Sequence, residues 1–447
     1  STGCTRGDSC ATDAAPRMTG DALEHATLRR VTRRLIPFLF VVFIANYLDR
    51  VNVSFAALQM NQELGLSDAA YGFGAGVFFL GYVLFQVPSS LLLTRVGARR
   101  WIGAITIAWG CIASSMMLVR GPSSFYLLRF LLGVVEAGFF PGVILYLTYW
   151  FPATHRARAV ARFMTAIPVA QIAGGPLSGW LLGLHGRAGL SGWQWVFLLE
   201  GLPSLALGTL VLRYLTDRPE NAAWLEPEAR AWLSVQLAAE QPAVAPPSQP
   251  LRQVLATPVL WHLSGVWILM VLVGYGQLLW LPQIIKGASG LSNLAVGFLS
   301  TAPPLAAAVT MVRIAAHSDR TGERRRHVAV PCFATAAGFA ATAAVLRTPL
   351  LATAALTLVA IGIAGSFGPF WGLATASLNG PAAAGGIALV NSIGNVGGFA
   401  GPYVVGLLKS ATGSFAAVLV VFGGLAAVAG LLAMLLRPAT TARFPGL

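Results

Sequence analysis

Five ionisable side chains stand where such groups are rare. Asp49, Arg50, Arg129, Glu136 and Glu200 each fall inside a run of mainly apolar residues. A charge at the centre of a bilayer costs about 3 kcal/mol by insertion scales and more by simulation, so each is a functional candidate in need of a partner. An arginine at that depth offers a planar, permanently charged fork to a carboxylate. A protein carboxylate beside it is stabilised by the arginine, and takes up a proton more readily once another anion occupies the guanidinium. Proton and anion then bind cooperatively. Asp49 and Arg50 are adjacent and project about 100° apart, so each needs a partner on another helix. Arg129 and Glu136 are seven apart, on one face and two turns separated. The two apolar runs thus hold complementary groups that face each other across a cavity. On this reading Arg50 holds an anion while Asp49 and Glu136 carry protons; the competing reading is a buried ion-pair network that only fixes helix packing. Glu200, near Trp193 and Trp195, reads as structural.

The later part of the chain supplies uncharged polar groups. Tyr275 and Gln277 share one apolar run; Asn391, Ser392 and Asn395 share another, with the two asparagines four apart on one face. Helix-to-helix hydrogen bonding accounts for such residues as well as reading of substrate hydroxyls does. Tyr47, Tyr82, Gln171, Phe370 and Trp371 are candidates for a cavity wall, Tyr82 standing just before Pro88. Two basic turns, 94–100 with Arg95, Arg99 and Arg100, and 319–326 with Asp319, Arg320 and Arg324, read as gate latches between helices rather than as lipid-binding clusters. No Ser-His-Asp, HExxH, P-loop or Cys-rich zinc pattern occurs. Neither an enzyme nor a metal or organic cofactor is expected; the driving force would be a proton gradient.

The elements that position these groups follow from composition. Of 447 residues, 56% are hydrophobic and 10% charged, with a mean hydropathy of +0.70. Soluble domains average roughly 25% charged residues, so most of this surface cannot face water. Windows of about 20 apolar residues give twelve spans: 35–57, 71–93, 101–119, 124–149, 159–184, 193–215, 257–285, 293–315, 327–346, 349–377, 384–408 and 414–436. The fold class is therefore all-α integral membrane. The formal charge of +14 is topological. Alternate loops and the N-terminal tail hold nearly all the arginines, whereas the opposite loops hold only Arg120, Arg187, Lys286, Arg347 and Lys409. This positive-inside pattern places both termini in the cytoplasm and argues against a nucleic-acid partner. Residues 1–27 are expected to be a disordered tail, 28–215 and 257–437 two six-helix bundles, 216–256 a cytoplasmic linker with a short helix from Glu226 to Glu240 and a Pro-rich stretch from Pro242 to Pro250, and 438–447 a C-terminal tail. The two bundles echo each other. The basic turns match, Gly174-Gly175-Pro176 matches Gly397-Gly398 with Gly401-Pro402, and Gly138-Phe139-Phe140-Pro141 matches Phe367-Gly368-Pro369. Three matched pairs in one order indicate parallel repeats, an architecture whose substrate lies between the halves near mid-membrane.

The turn 319–326 resembles the signature loop of the major facilitator superfamily; the first copy departs from it, with Thr94 where an Asp is usual and Ser90 where a Gly is usual. Closer resemblance is to the anion:cation symporter family, in its tartrate-type, aromatic-acid and galactonate-like branch. It is carried by Asn46-Tyr47-Leu48-Asp49-Arg50-Val51-Asn52, Gln86-Val87-Pro88-Ser89, Arg129 to Gly142, Gly192-Trp193-Gln194-Trp195 and Asn391-Ser392-Ile393-Gly394-Asn395, and it runs from about residue 30 to 437. Gln86 departs from the usual Glu. The resemblance implies import of organic anions with protons, with Asp49, Arg50 and Glu136 serving coupling and binding and Tyr47, Tyr82 and Arg129 at supporting positions. It implies a multi-pass protein of a bacterial inner membrane whose partners are a small organic anion, protons and lipid, working as a monomer.

Overall fold

The computed structural model describes residues 20–240, 251–378 and 383–436. Among them every regular element is helical. The first span runs Gly20–Val51 and, after Asn52, continues as Val53–Glu63; the second is Asp68–Val96 and the third Ala98–Ser115. The fourth is split into Pro122–Glu136 and Phe139–Thr148, and the fifth into Ala153–Met164 and Ala166–Leu182. Gly192–Tyr214 and Pro258–Ser289 are the sixth and seventh. The eighth is split into Asn293–Leu299 and Ala302–Thr321. Arg325–Ala344, Pro349–Ser377, Ala383–Thr412 and Phe415–Leu435 complete the twelve. Ten of these are long and apolar enough to cross a bilayer outright. The fifth, broken at Thr165, and the eleventh, rich in glycine and carrying Asn391 and Asn395, are the other two.

The break in the fourth span falls at Ala137–Gly138, where Pro141 can give no N–H to the Ala137 carbonyl and the backbone packs closely on its neighbours. Gly138 lies so close to the second and third spans that a Cβ there would meet Ser89 Oγ at 1.9 Å and Trp101 Nε1 at 2.8 Å. Pro141 then falls in the first turn of the restarted helix, where the lost N–H has no intrahelical partner to miss. This local bend aims Glu136, the last residue before it, inward.

Among the described residues the halves meet closely at one end, the end remote from the arginine-rich turns. A Cβ on Gly72 would come within 2.5 Å of the Pro402 carbonyl, and one on Gly297 within 2.3 Å of the Gly175 carbonyl. Small residues allow such backbone contact between helices in lipid. Polar links join the halves there: Lys409 Nζ lies 2.8 Å from Asp68 Oδ1, Ala69 N–H donates to Ser410 Oγ at 3.0 Å, and Tyr71 Oη donates to the Leu279 carbonyl at 2.8 Å. Further along the second span, Leu84, Val87 and Leu91 are 63%, 65% and 64% exposed. The space between the halves therefore opens toward the arginine-rich turns.

One expectation needs adjustment. Residues 20–27, read as part of a disordered tail, are helical, with Thr27 and Leu28 buried and Glu24 3.9 Å from His155; residues 1–19 lie outside the described residues, as do 241–250 and 437–447. The linker helix expected from Glu226 to Glu240 is present as Pro227–Ala239 and lies against the first half. Arg30 pairs with Glu226 at 2.6 Å, Arg156 with Glu240 at 3.2 Å, and the Arg34 guanidinium stacks on Tyr214 and Trp224.

Candidate functional site

The first and fourth spans bring Arg50 and Glu136 together. Arg50 Nε donates to Glu136 Oε1 at 2.9 Å, and Nη2 donates to the same oxygen. Glu136 is buried, whereas Arg50 keeps 15% of its side chain open, so the cation is the member that faces the cavity. Aromatic rings surround it: the Arg50 guanidinium carbon is 5.7 Å from the Tyr47 ring, 5.5 Å from Phe78 and 5.6 Å from Tyr82. Such cation–π contacts are worth about 0.5–2 kcal/mol each and hold the guanidinium without neutralising it. Gln171 of the fifth span donates to Tyr47 Oη at 2.8 Å, fixing that hydroxyl at the edge of the cage. Tyr275 reaches in from the seventh span, packed on Phe79 at 4.3 Å. Removing one partner of a buried ion pair costs about 3–5 kcal/mol.

Asp49 and Arg129 are placed elsewhere. Asp49 points away from the cavity into the first half, 2% exposed, and accepts hydrogen bonds from Trp109 Nε1 at 2.7 Å and Ser204 Oγ at 2.9 Å. Among the described residues Arg129 pairs with no carboxylate. It donates to the Ala75 carbonyl at 3.2 Å and lies 5.1 Å from the Phe78 ring, the same ring that packs on Arg50. Glu136 and Arg129 share a face, as their spacing requires, but Glu136 is claimed by the first span.

The second-half candidates form a separate wall. Trp371 packs edge-on against Trp267 at 4.9 Å, and Phe370 stacks on the same indole at 4.8 Å. Gly394, between Asn391 and Asn395, touches Trp267 so closely that a Cβ would lie 1.9 Å from its ring. The two asparagines are half-buried, and Gln277 is buried with its Nε2 unpartnered. None of these five makes a hydrogen bond or cation–π contact with Arg50 in this open arrangement.

The basic turns close within their own halves. Arg99 pairs with Asp217 at 3.3 Å, and its backbone N–H donates to Asp217 Oδ1 at 3.0 Å, so this carboxylate sits on the N-terminus of the third span. Asp217 thus supplies the acid that Thr94 lacks, a residue missed in the sequence because it lies 118 positions beyond Arg99. In the second turn Arg324 binds Asp319 at 2.5 Å and Ser318 Oγ at 3.1 Å. Arg95, Arg100 and Arg320 are exposed. Glu323 accepts from the Arg326 backbone N–H at 2.9 Å and lies 3.1 Å from His327. Partial burial works against its charge, but these hydrogen bonds prevail and hold its carboxyl below the usual range. Among the described residues no group of three or more His, Cys, Asp or Glu is arranged to hold a metal ion.

Comparison with known proteins places this geometry in a family. A protein of Agrobacterium vitis named "Putative tartrate transporter" is 50% identical over 410 residues, 92% of this chain and 90% of that one. A "Quinolone resistance transporter" of Acinetobacter baumannii is 42% identical over 396 residues, 88% of this chain and 91% of that one. Among solved structures, a bacterial homologue of the human lysosomal transporter Spinster superposes with a TM-score of 0.76 at 18% identity, covering 91% of this chain and 97% of that one, which shows a shared fold. Residues 39–402 match the model of the Major Facilitator Superfamily. With twelve helices in two halves around a cavity, this chain is a multi-pass membrane protein that belongs to the Major Facilitator Superfamily.

Proposed function

We propose that this chain imports a small organic anion together with protons, by alternating access, across a bacterial inner membrane with both termini in the cytoplasm. The observation that carries the reading is the Arg50–Glu136 pair: a cavity-facing cation held by a buried acid inside an aromatic cage. In the outward-open state a proton on Glu136 releases Arg50, whose fork then receives the substrate carboxylate. Tyr47, Tyr82 and Gln171 read the substrate from the first half. Tyr275, Gln277, Asn391, Asn395 and Trp371 close on it from the second, where amides and a phenol suit hydroxyl groups. The class is a hydroxylated mono- or dicarboxylate such as a tartrate-like or sugar acid, in keeping with the name of the relatives at 50% identity. Asp49 carries a further proton. The basic turns, Arg95, Arg99 and Arg100 with Asp319, Arg320 and Arg324, serve as the inner gate, and the monomer is the working unit. Accumulation of L-tartrate against its gradient in proteoliposomes tests the reading; in Glu136→Gln it should be lost, and intact accumulation in that variant would remove the assignment.

A second reading keeps the fold and reverses the direction, as the name of the relative at 42% identity suggests. The chain would then export a small solute against proton entry, and inverted vesicles would show uptake driven by internal acid.

A further inference from the structure

Asp49 lies outside the cavity, and the structure offers another way to it. Asp49, Asn52, Gln59 and Glu63 recur along the first span at spacings of three, seven and four, which keeps them on one face. That face meets the fifth and sixth spans. Asp49 touches Ser204 of the sixth, and Gln59 donates to the Leu182 carbonyl at the end of the fifth. Glu200 stands one turn from Ser204, about 6 Å nearer the closed end of the molecule, and its Oε1 accepts from Ser178 Oγ at 2.7 Å. The stripe ends at Glu63, a third exposed, which holds Trp193 Nε1 at 2.7 Å and Ser191 Oγ at 2.5 Å and lies 3.6 Å from His185.

Two features make this more than packing. Neither Asp49 nor Glu200 makes an ion pair among the described residues; Arg50, the nearest cation in sequence, is turned to Glu136. A pair of buried carboxylates with no cation in contact is too costly to keep ionised. The unpartnered atoms also fall in a pattern. Asp49 Oδ1, Glu200 Oε2, both polar atoms of Asn52 and Gln59 Oε1 are all buried without a hydrogen bond. Protons on the two free carboxyl oxygens would turn them into donors for the amide oxygens, and internal water satisfies such groups elsewhere. Glu200 reads from the sequence as a structural acid beside two tryptophans; its place next to the Asp49 cluster gives it a different part.

We propose that Asp49 exchanges its proton with the outer face through this stripe inside the first half, with Glu200 as the intermediate station, and not through the central cavity. The inference rests on the proton-coupled reading above. A proton entering beside Glu63 and His185 passes along water held by Gln59 and Asn52 to Glu200 Oε2. Glu200 yields a proton to Asp49 Oδ1 and is refilled from outside, so the path ends with Asp49 protonated and Glu200 restored.

The test uses the full chain in proteoliposomes with L-tartrate as probe, comparing uptake driven by an imposed pH gradient with tartrate–tartrate exchange, which needs no net proton movement. Glu200→Gln keeps an acceptor for Ser178 but cannot pass a proton. Its pH-driven uptake should fall by about tenfold or more with exchange retained, and Glu200→Asp should restore much of the loss. Gln59→Leu, which touches neither carboxyl, should also slow pH-driven uptake and spare exchange. Wild-type rates of pH-driven uptake in Glu200→Gln would overturn the relay. If Glu200→Gln loses exchange as well, Gln59→Leu decides, and an unimpaired pH-driven rate there overturns it. Wild-type uptake indifferent to the pH gradient would remove the proton-coupled reading itself, a result distinct from failure of the relay alone.

Discussion

The Asp68–Lys409 bridge is the one ion pair joining the two halves among the described residues, and its loss has a calculable effect. Its side chains are 30% and 22% exposed, so solvent screens it partly and about 1 kcal/mol is a fair upper figure. Because the pair exists only while the outer end is closed, that energy belongs wholly to the balance between the two open states. Removing it should raise the outward-open to inward-open ratio about fivefold. Asp68→Asn is the cleaner perturbation. Lys409 also lies 4.5 Å from the Phe415 ring and 5.3 Å from the Trp280 ring, contacts within its own half that do not depend on state. Spin labels on Gln62 and Leu294, both exposed at the outer ends of opposite halves, would report the separation by pulsed electron resonance in a background without native cysteines. The long-distance population should grow in Asp68→Asn and in Lys409→Met, with no further growth in the double variant. An unchanged distribution in Asp68→Asn, or effects that simply add in the double, would refute the latch.

Other outcomes follow from the same geometry. Arg50→Lys keeps the charge but loses the fork and its stacking, and should lower substrate affinity at least tenfold in a binding titration with L-tartrate. Gly297→Ala would set a Cβ 2.3 Å from the Gly175 carbonyl; overpacking of about 1–3 kcal/mol should shift the same spin-label distances outward more strongly than Asp68→Asn does. Glu323→Ala removes an acceptor from the start of the ninth span and should destabilise the protein by about 1 kcal/mol in thermal unfolding. Since the folded carboxyl is held below its ordinary range, its contribution is full above the unfolded pKa of about 4.3 and fades as pH falls through the folded value, so the wild-type and Ala unfolding curves should converge in acid.

The twelve spans were legible because apolar length is a one-dimensional property, and most fell within several residues of the observed helices. Breaks were harder to see. The split at Ala137–Gly138 falls where Gly138 packs on Ser89 and Trp101, a contact between spans that periodicity does not record. At the site, charge in an apolar run singled out Arg50 and Glu136, and the structure pairs them. The same signal could not say that Asp49 turns away toward Trp109 and Ser204, or that Arg129 is left with a backbone carbonyl, because rotation of one helix against its neighbours decides both. Asp217 and the Asp68–Lys409 pair were invisible for a related reason: each joins residues more than a hundred positions apart in segments that read as ordinary loop or helix end.

The central claim is that the substrate and the Glu136 carboxylate compete for one arginine, so that substrate and proton bind together. The most direct measurement is the proton count that accompanies L-tartrate binding to purified protein, read as the pH dependence of its affinity in wild type and in Glu136→Gln. The account predicts that wild-type protein takes up protons as it binds, so affinity rises with acidity, and that Glu136→Gln binds with a shallower dependence. Identical pH dependence in the two proteins would contradict it.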